Sequence, residues 1–185
     1  MVIVLIIVGL LVLIGVIYIL VRNSIIAERN RCDEAWSGID VQLKRRHDLV
    51  PNLVESVKGY ATHERATFEK VTQARAAAMQ ASGPEEAGPA EAALSQAIGG
   101  LRVVAEQYPD LRATENFQQL QRQLSELEDE IQASRRIYNS NVQDYNTTIQ
   151  QFPMSIVAKQ GGFTDKPFFE IGDAAEREAP QVSFT

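Results

Sequence analysis

An uncharged apolar run at the start of the chain constrains this sequence more than any other feature. Residues 1–21 contain no Asp, Glu, Lys or Arg. A helix of that length spans roughly 31 Å, which is the thickness of the hydrocarbon core of a bilayer. The run lacks the basic start and the small-residue cleavage site of a secretory signal peptide. We therefore predict a retained transmembrane anchor at residues 1–21, with the lipid bilayer as its partner.

The basic residues near this run predict its orientation. They all lie on its C-terminal side: Arg22, Arg29, Arg31, Lys44, Arg45 and Arg46. Because Lys and Arg are retained on the cytoplasmic side, residues 22–185 are predicted to lie in the cytoplasm. The single cysteine, Cys32, agrees with a reducing compartment.

Charge and composition exclude several classes of function. The chain has 18 Lys and Arg against 24 Asp and Glu, a net charge of −6, which argues against nucleic acid as a partner. One cysteine and two histidines predict neither a disulfide framework nor a zinc site. His63-Glu64 is not the Glu-x-x-His pair of di-iron bundles. No nucleophile motif or phosphate-binding loop is present, so we expect no catalytic residue, metal or cofactor, and no enzyme.

Heptad spacing predicts that the rest of the chain is helical. In the clearest segment, aromatic and aliphatic residues fall seven apart: Phe117, Leu124, Ile131, Tyr138, Tyr145 and Phe152. This pattern predicts a helix with a coiled-coil seam over residues 110–151, ended by Pro153. A second pattern predicts a helix over 89–108, after a loop at residues 82–89.

The first helical stretch has two interpretations. Its apolar face could continue unbroken to residue 80, or the chain could turn near Gly59–Thr62. A turn balances the helix lengths, with Gly59 after the end of one helix and Thr62 capping the next. We therefore predict helices over 22–59, 63–80, 89–108 and 110–151.

These elements define the expected fold. It is all-α, with an N-terminal transmembrane helix followed by an antiparallel up-and-down four-helix bundle and an irregular C-terminal tail. The predicted domains are the anchor at 1–21, the cytosolic bundle at 22–152, and a tail at 153–185 that packs on the bundle or on a neighbouring chain.

The order of charges predicts which residues of the first and last helices face each other. Antiparallel packing would place Arg46 near Glu126, and Asp40 near Arg135 or Arg136. Two Tyr-Asn pairs, Tyr138-Asn139 and Tyr145-Asn146, lie seven residues apart on the last helix. They are either a hydrogen-bonded network with Arg46, Asp40 or Asn52, or ordinary amphipathic tyrosines with exposed asparagine neighbours.

Ordered motifs along nearly the whole chain resemble the LemA family. The residues that carry this resemblance include Asp33-Glu34-Ala35-Trp36, Asp48-Leu49-Val50-Pro51-Asn52-Leu53-Val54, Glu106-Gln107-Tyr108-Pro109-Asp110-Leu111, Glu115-Asn116-Phe117, Tyr138-Asn139, Tyr145-Asn146 and Phe152-Pro153. The resemblance implies a single-pass protein of the bacterial cytoplasmic membrane with a cytosolic antiparallel helical bundle. It implies no known enzymatic activity.

The sequence therefore predicts a non-enzymatic structural or interaction protein. Our leading expectation is self-association into a membrane-attached homo-oligomeric scaffold. The alternative is a low-order adaptor that presents the bundle to another membrane protein, such as a protease or a signalling kinase. The predicted interaction residues are Trp36, Asp40, Arg46, Asn52, Arg135, Arg136, Tyr138, Asn139, Tyr145, Asn146 and Phe163.

Overall fold

The described part of the chain is entirely helical. The computed structural model describes residues 1–171, and the last part of the predicted tail, residues 172–185, lies outside it. Within the described range there is no strand, and the helices are α1 (Val2–Lys58), α2 (Arg65–Gln80), α3 (Gly83–Glu106), α4 (Pro109–Ala113), α5 (Glu115–Gln150) and α6 (Met154–Gly161). The predicted all-α fold class is confirmed.

The apolar run is the first part of a much longer helix. The start of α1 is long and apolar enough to cross a membrane, and none of its apolar window is buried in the protein. The helix continues through Pro51, which removes one backbone donor from its interior. The neighbouring Val50 and Leu53 are both buried, so packing of this face offsets the missing hydrogen bond.

The chain turns where the second interpretation of the first stretch places the turn. α1 ends at Lys58, and the amide of Ala61 donates back to the carbonyl of Val57 at 2.9 Å. The expected capping role of Thr62 is wrong, because Glu64 is the residue that precedes α2. Ala61 is fully buried, so the chain stays close to the core for several residues before α2 begins.

The predicted loop at 82–89 is also wrong, because α3 begins at Gly83. Proline is tolerated in the first turn of a helix, and Pro84 occupies such a position. The carboxylate of Glu86 accepts a hydrogen bond from the amide of Ser82 at 2.9 Å, which satisfies one donor at the helix start. Pro89 lies inside the helix on its exposed side.

The predicted helix 110–151 divides into α4 and α5 at Thr114. This residue has an extended conformation, and its hydroxyl accepts a hydrogen bond from the amide of Phe117 at 3.4 Å. A threonine side chain in that role caps the start of a helix, so α5 begins one residue later, at Glu115.

The described chain divides into two compact units. The second unit comprises Gly38–Arg135 and, within the described range, residues 169–171. One hydrophobic core unites its helices, and the residues that form this core include Val50, Leu53 and Val57 of α1, Phe68 and Val71 of α2, Leu94 and Leu101 of α3, Leu111 of α4, and Phe117 and Leu124 of α5.

The first unit comprises Met1–Ser37 and Arg136–Phe168. Within it, the start of α1 and the end of α5 run antiparallel: Trp36 contacts Tyr138, and the amide of Asn141 donates to the carbonyl of Arg31. α6 is followed by Gly162, which has a left-handed conformation with φ 69°. The buried apolar residues of this unit include Ile25, Cys32, Tyr138, Val142, Tyr145, Ile149, Val157 and Ala158.

Gly88 lies where the chain returns to α3 in the second unit. A Cβ atom at Gly88 would clash with the backbone carbonyl oxygen of Glu170, which would lie closer than real Cβ atoms approach a backbone atom. Gly99, in the same helix, has open space around the equivalent position. The absence of a side chain at Gly88 therefore lets the backbone at residue 170 pass against α3.

We expect Gly88→Ala to lower the free energy of unfolding by about 1–3 kcal/mol, because a backbone clash forces the segment at Glu170 away from α3. The matched control Gly99→Ala should raise it by about 0.5–1 kcal/mol, because alanine has the higher helix propensity. Urea unfolding of the full chain in detergent, followed by circular dichroism, measures both values. A stabilised Gly88→Ala variant would show that residue 170 does not pack there.

Candidate functional site

Side chains of α5 hold a segment of the tail that is neither helix nor strand, residues 163–168, in the first unit. The hydroxyl of Tyr138 donates to the carbonyl of Pro167 at 2.8 Å, and that of Tyr145 donates to Thr164 at 3.1 Å. Asn146 makes two hydrogen bonds with the backbone of Lys166: its amide donates to the carbonyl at 2.9 Å, and its oxygen accepts from the amide at 2.8 Å. We call Tyr138, Tyr145 and Asn146 the tail clamp.

The tail clamp explains why two tyrosine hydroxyls lie at seam positions with an asparagine beside the seam. Residues 163–168 form neither helix nor strand, so their backbone donors and acceptors need partners elsewhere. The sequence predicted Arg46, Asp40 or Asn52 as possible partners of the tyrosine–asparagine pairs, whereas the hydrogen bonds of Tyr138, Tyr145 and Asn146 run to the tail backbone. The tail carries no periodic pattern, so the sequence contained no signal for this pairing.

Residues of α1 hold the same tail segment from a second side. The ammonium group of Lys166 pairs with the carboxylate of Asp33 at 2.7 Å. The guanidinium of Arg29 lies 5.8 Å from the centre of the Phe163 ring, a cation–π distance. Trp36 packs edge-on against Tyr138, with ring centres 5.6 Å apart. The structure thus brings the predicted residues Trp36, Tyr138, Tyr145, Asn146 and Phe163 together around one segment.

Burial sets the protonation of two groups in this unit. Desolvation raises the pKa of the Cys32 thiol, although the charge of Lys166 opposes the shift. Desolvation also raises the pKa of the Tyr145 hydroxyl. At neutral pH both groups keep their protons, so Cys32 is a buried apolar contact with little thiolate character, and Tyr145 is a hydrogen-bond donor.

The second unit contains a buried ionic cluster of Arg46, His47, Glu91 and Ser95. Arg46 is 3% exposed, His47 8% and Glu91 0%. One carboxylate oxygen of Glu91 lies 3.3 Å from the guanidinium of Arg46. The other oxygen accepts a hydrogen bond from the ring nitrogen Nε2 of His47. Arg46 also donates to the hydroxyl of Ser95, so each charge in the cluster has a partner.

The charge pairing between α1 and α5 differs from the prediction by two residues. Arg46 lies 3.7 Å from Glu128, and Arg45 lies 3.8 Å from Glu130. The expected contact with Glu126 is not the one formed, because residues two apart lie on nearly opposite faces of a helix. Glu126 instead lines an open cleft of about 510 Å³ together with Arg45, Asp48 and Asn52.

The remaining predicted residues lie at separate places. Arg135 donates to the carbonyl of Ile171 at 2.9 Å. Asp40 and Asn52 are exposed on α1, and Arg136 is exposed on α5, where Asn139 is half-buried. Within residues 1–171, no group of three or more His, Cys, Asp or Glu side chains could hold a metal ion.

Sequence reasoning missed Glu91, although a signal for its burial was present. Ala87, Glu91, Leu94 and Ile98 recur at intervals of four and three residues on the same face of α3. An acidic residue on an apolar face indicates a buried carboxylate that requires a cationic partner. The pattern does not say which arginine supplies that partner, because Arg46 is distant in sequence.

Fold and site together define an all-α protein with an apolar helix long enough to span a membrane. A model of the LemA family matches residues 35–184, so the chain belongs to the LemA family. Protein LemA of Metamycoplasma hominis is 30% identical over 158 residues, which are 85% of this chain and 72% of that protein. The predicted family resemblance is confirmed.

Shorter similarities link the chain to magnetosome proteins. Magnetosome protein MamQ 2 of Paramagnetospirillum magneticum is 31% identical over 80 residues, which are 43% of this chain and 29% of that protein. MamQ of Magnetospirillum gryphiswaldense is 27% identical over 88 residues, or 46% of this chain and 32% of that protein. None of these names denotes an enzyme.

We expect Glu91→Gln to lower the free energy of unfolding by about 3–5 kcal/mol. The variant keeps the shape of the side chain but leaves the buried guanidinium of Arg46 without its nearest counter-charge. Glu85→Gln, at an exposed position of the same helix, is the control and should change it by less than about 0.5 kcal/mol. Equal unfolding midpoints for the two variants in urea would contradict a structural role for the ionic cluster.

We expect Tyr145 to make stability depend on alkaline pH. Its pKa is raised in the folded state, so above pH about 10 the unfolded chain loses this proton while the folded chain retains it. Stability therefore falls as pH rises past that point. Tyr145→Phe should be less stable than the parent by about 0.5–1.5 kcal/mol at neutral pH, because one hydrogen bond is lost. The stability difference between the parent and Tyr145→Phe should shrink above pH about 10, as measured by thermal melts. A difference that stays constant with pH would contradict the raised pKa of Tyr145 in the folded state.

Proposed function

We propose that this protein is a membrane-anchored, non-enzymatic interaction protein that self-associates into a homo-oligomeric scaffold. Residues 1–21 cross the bacterial cytoplasmic membrane, and the remaining helices lie in the cytoplasm. Family membership and the apolar start of α1 support the membrane association. The cluster of arginines that begins at Arg22 supports the cytoplasmic side. Nucleic acid has no part in this function, because the net charge is −6.

The continuity of α1 is the observation that carries this proposal. One unbroken helix contains both the exposed apolar segment and residues of the hydrophobic core, Val50, Leu53 and Val57. In each copy, the helix that contributes these core residues is therefore the same helix that contains the proposed anchor. Copies that share a membrane are also concentrated relative to one another, so weak contacts between them suffice for assembly.

We infer that the second unit is an antiparallel four-helix bundle. Its core draws on α1, α2, α3 and α5, and the turns between successive helices are short. The pairing of Arg45 with Glu130 and of Arg46 with Glu128 supports opposite directions for α1 and α5.

Contacts between copies are expected on α5 beside the predicted interaction residues. Ile137 is well exposed and lies next to Tyr138 and Asn139 in the sequence. Covering such an exposed aliphatic side chain with a partner lowers the free energy, which favours association. The proposal therefore places Ile137 at the contact between copies.

The mass of the full-length protein in mild detergent tests the proposal, with electron microscopy of the same sample. We expect a large, uniform and symmetric particle. Ile137→Arg should shift the mass toward the monomer, because a charge cannot be buried at an apolar contact. Val103→Arg, on α3, is the matched control, since Val103 is exposed to the same degree. It should leave the mass unchanged.

A monomer or dimer in that experiment would contradict the scaffold. It would favour the alternative, a low-order adaptor that presents its helices to another membrane protein such as a protease or a signalling kinase. Equal loss of assembly in both arginine variants would also contradict the assignment of Ile137 to the contact.

A further inference from the structure

Two apolar side chains are exposed at the corner between α5 and α6. Phe152, in the turn after α5, is 81% exposed, and Ile156, in the first turn of α6, is 51% exposed. The next residues, Val157 and Ala158, are buried, so the helix packs on the protein with one face and presents Ile156 on another. We call residues 152–156 the apolar corner.

The antiparallel pairing of α1 with α5 shows which residues of α1 lie opposite the apolar corner. Asn141 is hydrogen-bonded to the backbone of Arg31, and Glu28 lines the same cleft as Thr147 and Thr148. The two helices run in opposite directions in this unit, so counting nine residues onward along α5 and nine back along α1 brings Gln150 level with Arg22. Phe152 is therefore level with the end of the apolar run.

The path of α6 confirms this level within the first unit. α6 is about 12 Å long. The ring of Phe163, just after its end, lies beside Arg29. Seven residues of α1 separate Arg22 from Arg29 and span about 11 Å, which matches the length of α6. The helix thus begins near the level of Arg22 and runs away from the apolar run.

The charges around the apolar corner are basic. No Asp or Glu occurs in residues 1–27 or in residues 149–164. The charged side chains in those two ranges are Arg22 and Lys159, and both are exposed. Exposed apolar side chains flanked by basic groups, level with the end of a membrane span, match the interfacial region of a bilayer that contains anionic lipid.

We propose that the apolar corner inserts Phe152 and Ile156 into the interface of the same bilayer that residues 1–21 cross. This inference rests on the proposed anchoring of residues 1–21. The corner gives the protein a second, adjacent contact with lipid. Two contacts with one membrane restrict the tilt and the rotation of α1, which a single span leaves free.

Tryptophan fluorescence of the full-length protein tests this contact. In a Trp36→Phe background, a single tryptophan replaces Phe152, and the chain is reconstituted into vesicles of phosphatidylcholine and phosphatidylglycerol. Lipids that carry bromine on their acyl chains quench a tryptophan that touches them. We expect Phe152→Trp to be strongly quenched, most by bromine close to the headgroup, and to emit at shorter wavelength than the same variant denatured in urea.

Two further tryptophan variants are the controls. Leu10→Trp lies within the proposed span and should be quenched most by bromine deep in the bilayer. Phe168→Trp replaces another exposed aromatic residue, near Lys166 and its partner Asp33. Asp33 is about 18 Å along α1 from the end of the apolar run, beyond the reach of lipid bromine. Phe168→Trp should therefore be quenched several-fold less than Phe152→Trp.

The outcomes separate this inference from the proposed anchor. Quenching of Leu10→Trp without quenching of Phe152→Trp overturns the lipid contact and leaves the anchor intact. Absence of quenching in both variants overturns the anchor. A short-wavelength emission of Phe152→Trp that no lipid bromine quenches places the corner against protein, such as a second copy, and also overturns the proposal.

Discussion

The structure depends on one helix whose first part is apolar on all sides and whose second part packs into the protein core. α1 begins with residues that are apolar on every side and continues with a single buried stripe. That stripe recurs every seven residues: Ile25, Cys32, Ile39, Arg46 and Leu53 are all buried. The change from apolar on all sides to apolar on one side is what allows the same helix to be suited first to lipid and then to a protein core.

The stripe contains one charged residue, and the second unit is arranged around it. Arg46 occupies a position that its neighbours fill with apolar side chains, so its guanidinium is removed from water. The cost of that burial is offset only where a carboxylate is close, and Glu91 meets this requirement from the buried face of α3. The ionic cluster therefore ties α3 to one position along α1, since a shifted helix would leave two charges buried and unpaired.

In the first unit, side-chain hydrogen bonds hold the backbone of the tail segment, in addition to a core of buried apolar residues. A segment outside helices and strands has no regular internal partners for its amides and carbonyls, and the tail clamp supplies partners. The heptad pattern predicted where Tyr138 and Tyr145 lie but not what they bind. Their partners belong to a stretch without periodicity, which the sequence does not connect to α5.

The sequence by itself determined the helical class, the apolar helix at the start of the chain, the turn after Lys58 and the family. Each of these depends on local periodicity, on local composition or on motifs present in the chain. It placed the start of α3 six residues late, since Pro84 and Pro89 resemble loop residues unless their surroundings are known. Only the tertiary structure decided the partners: Glu91 for Arg46, Glu128 in place of Glu126, and the tail backbone for the tyrosines. Such pairings join residues far apart in the chain, and they are set by which faces pack together, a property of the folded molecule.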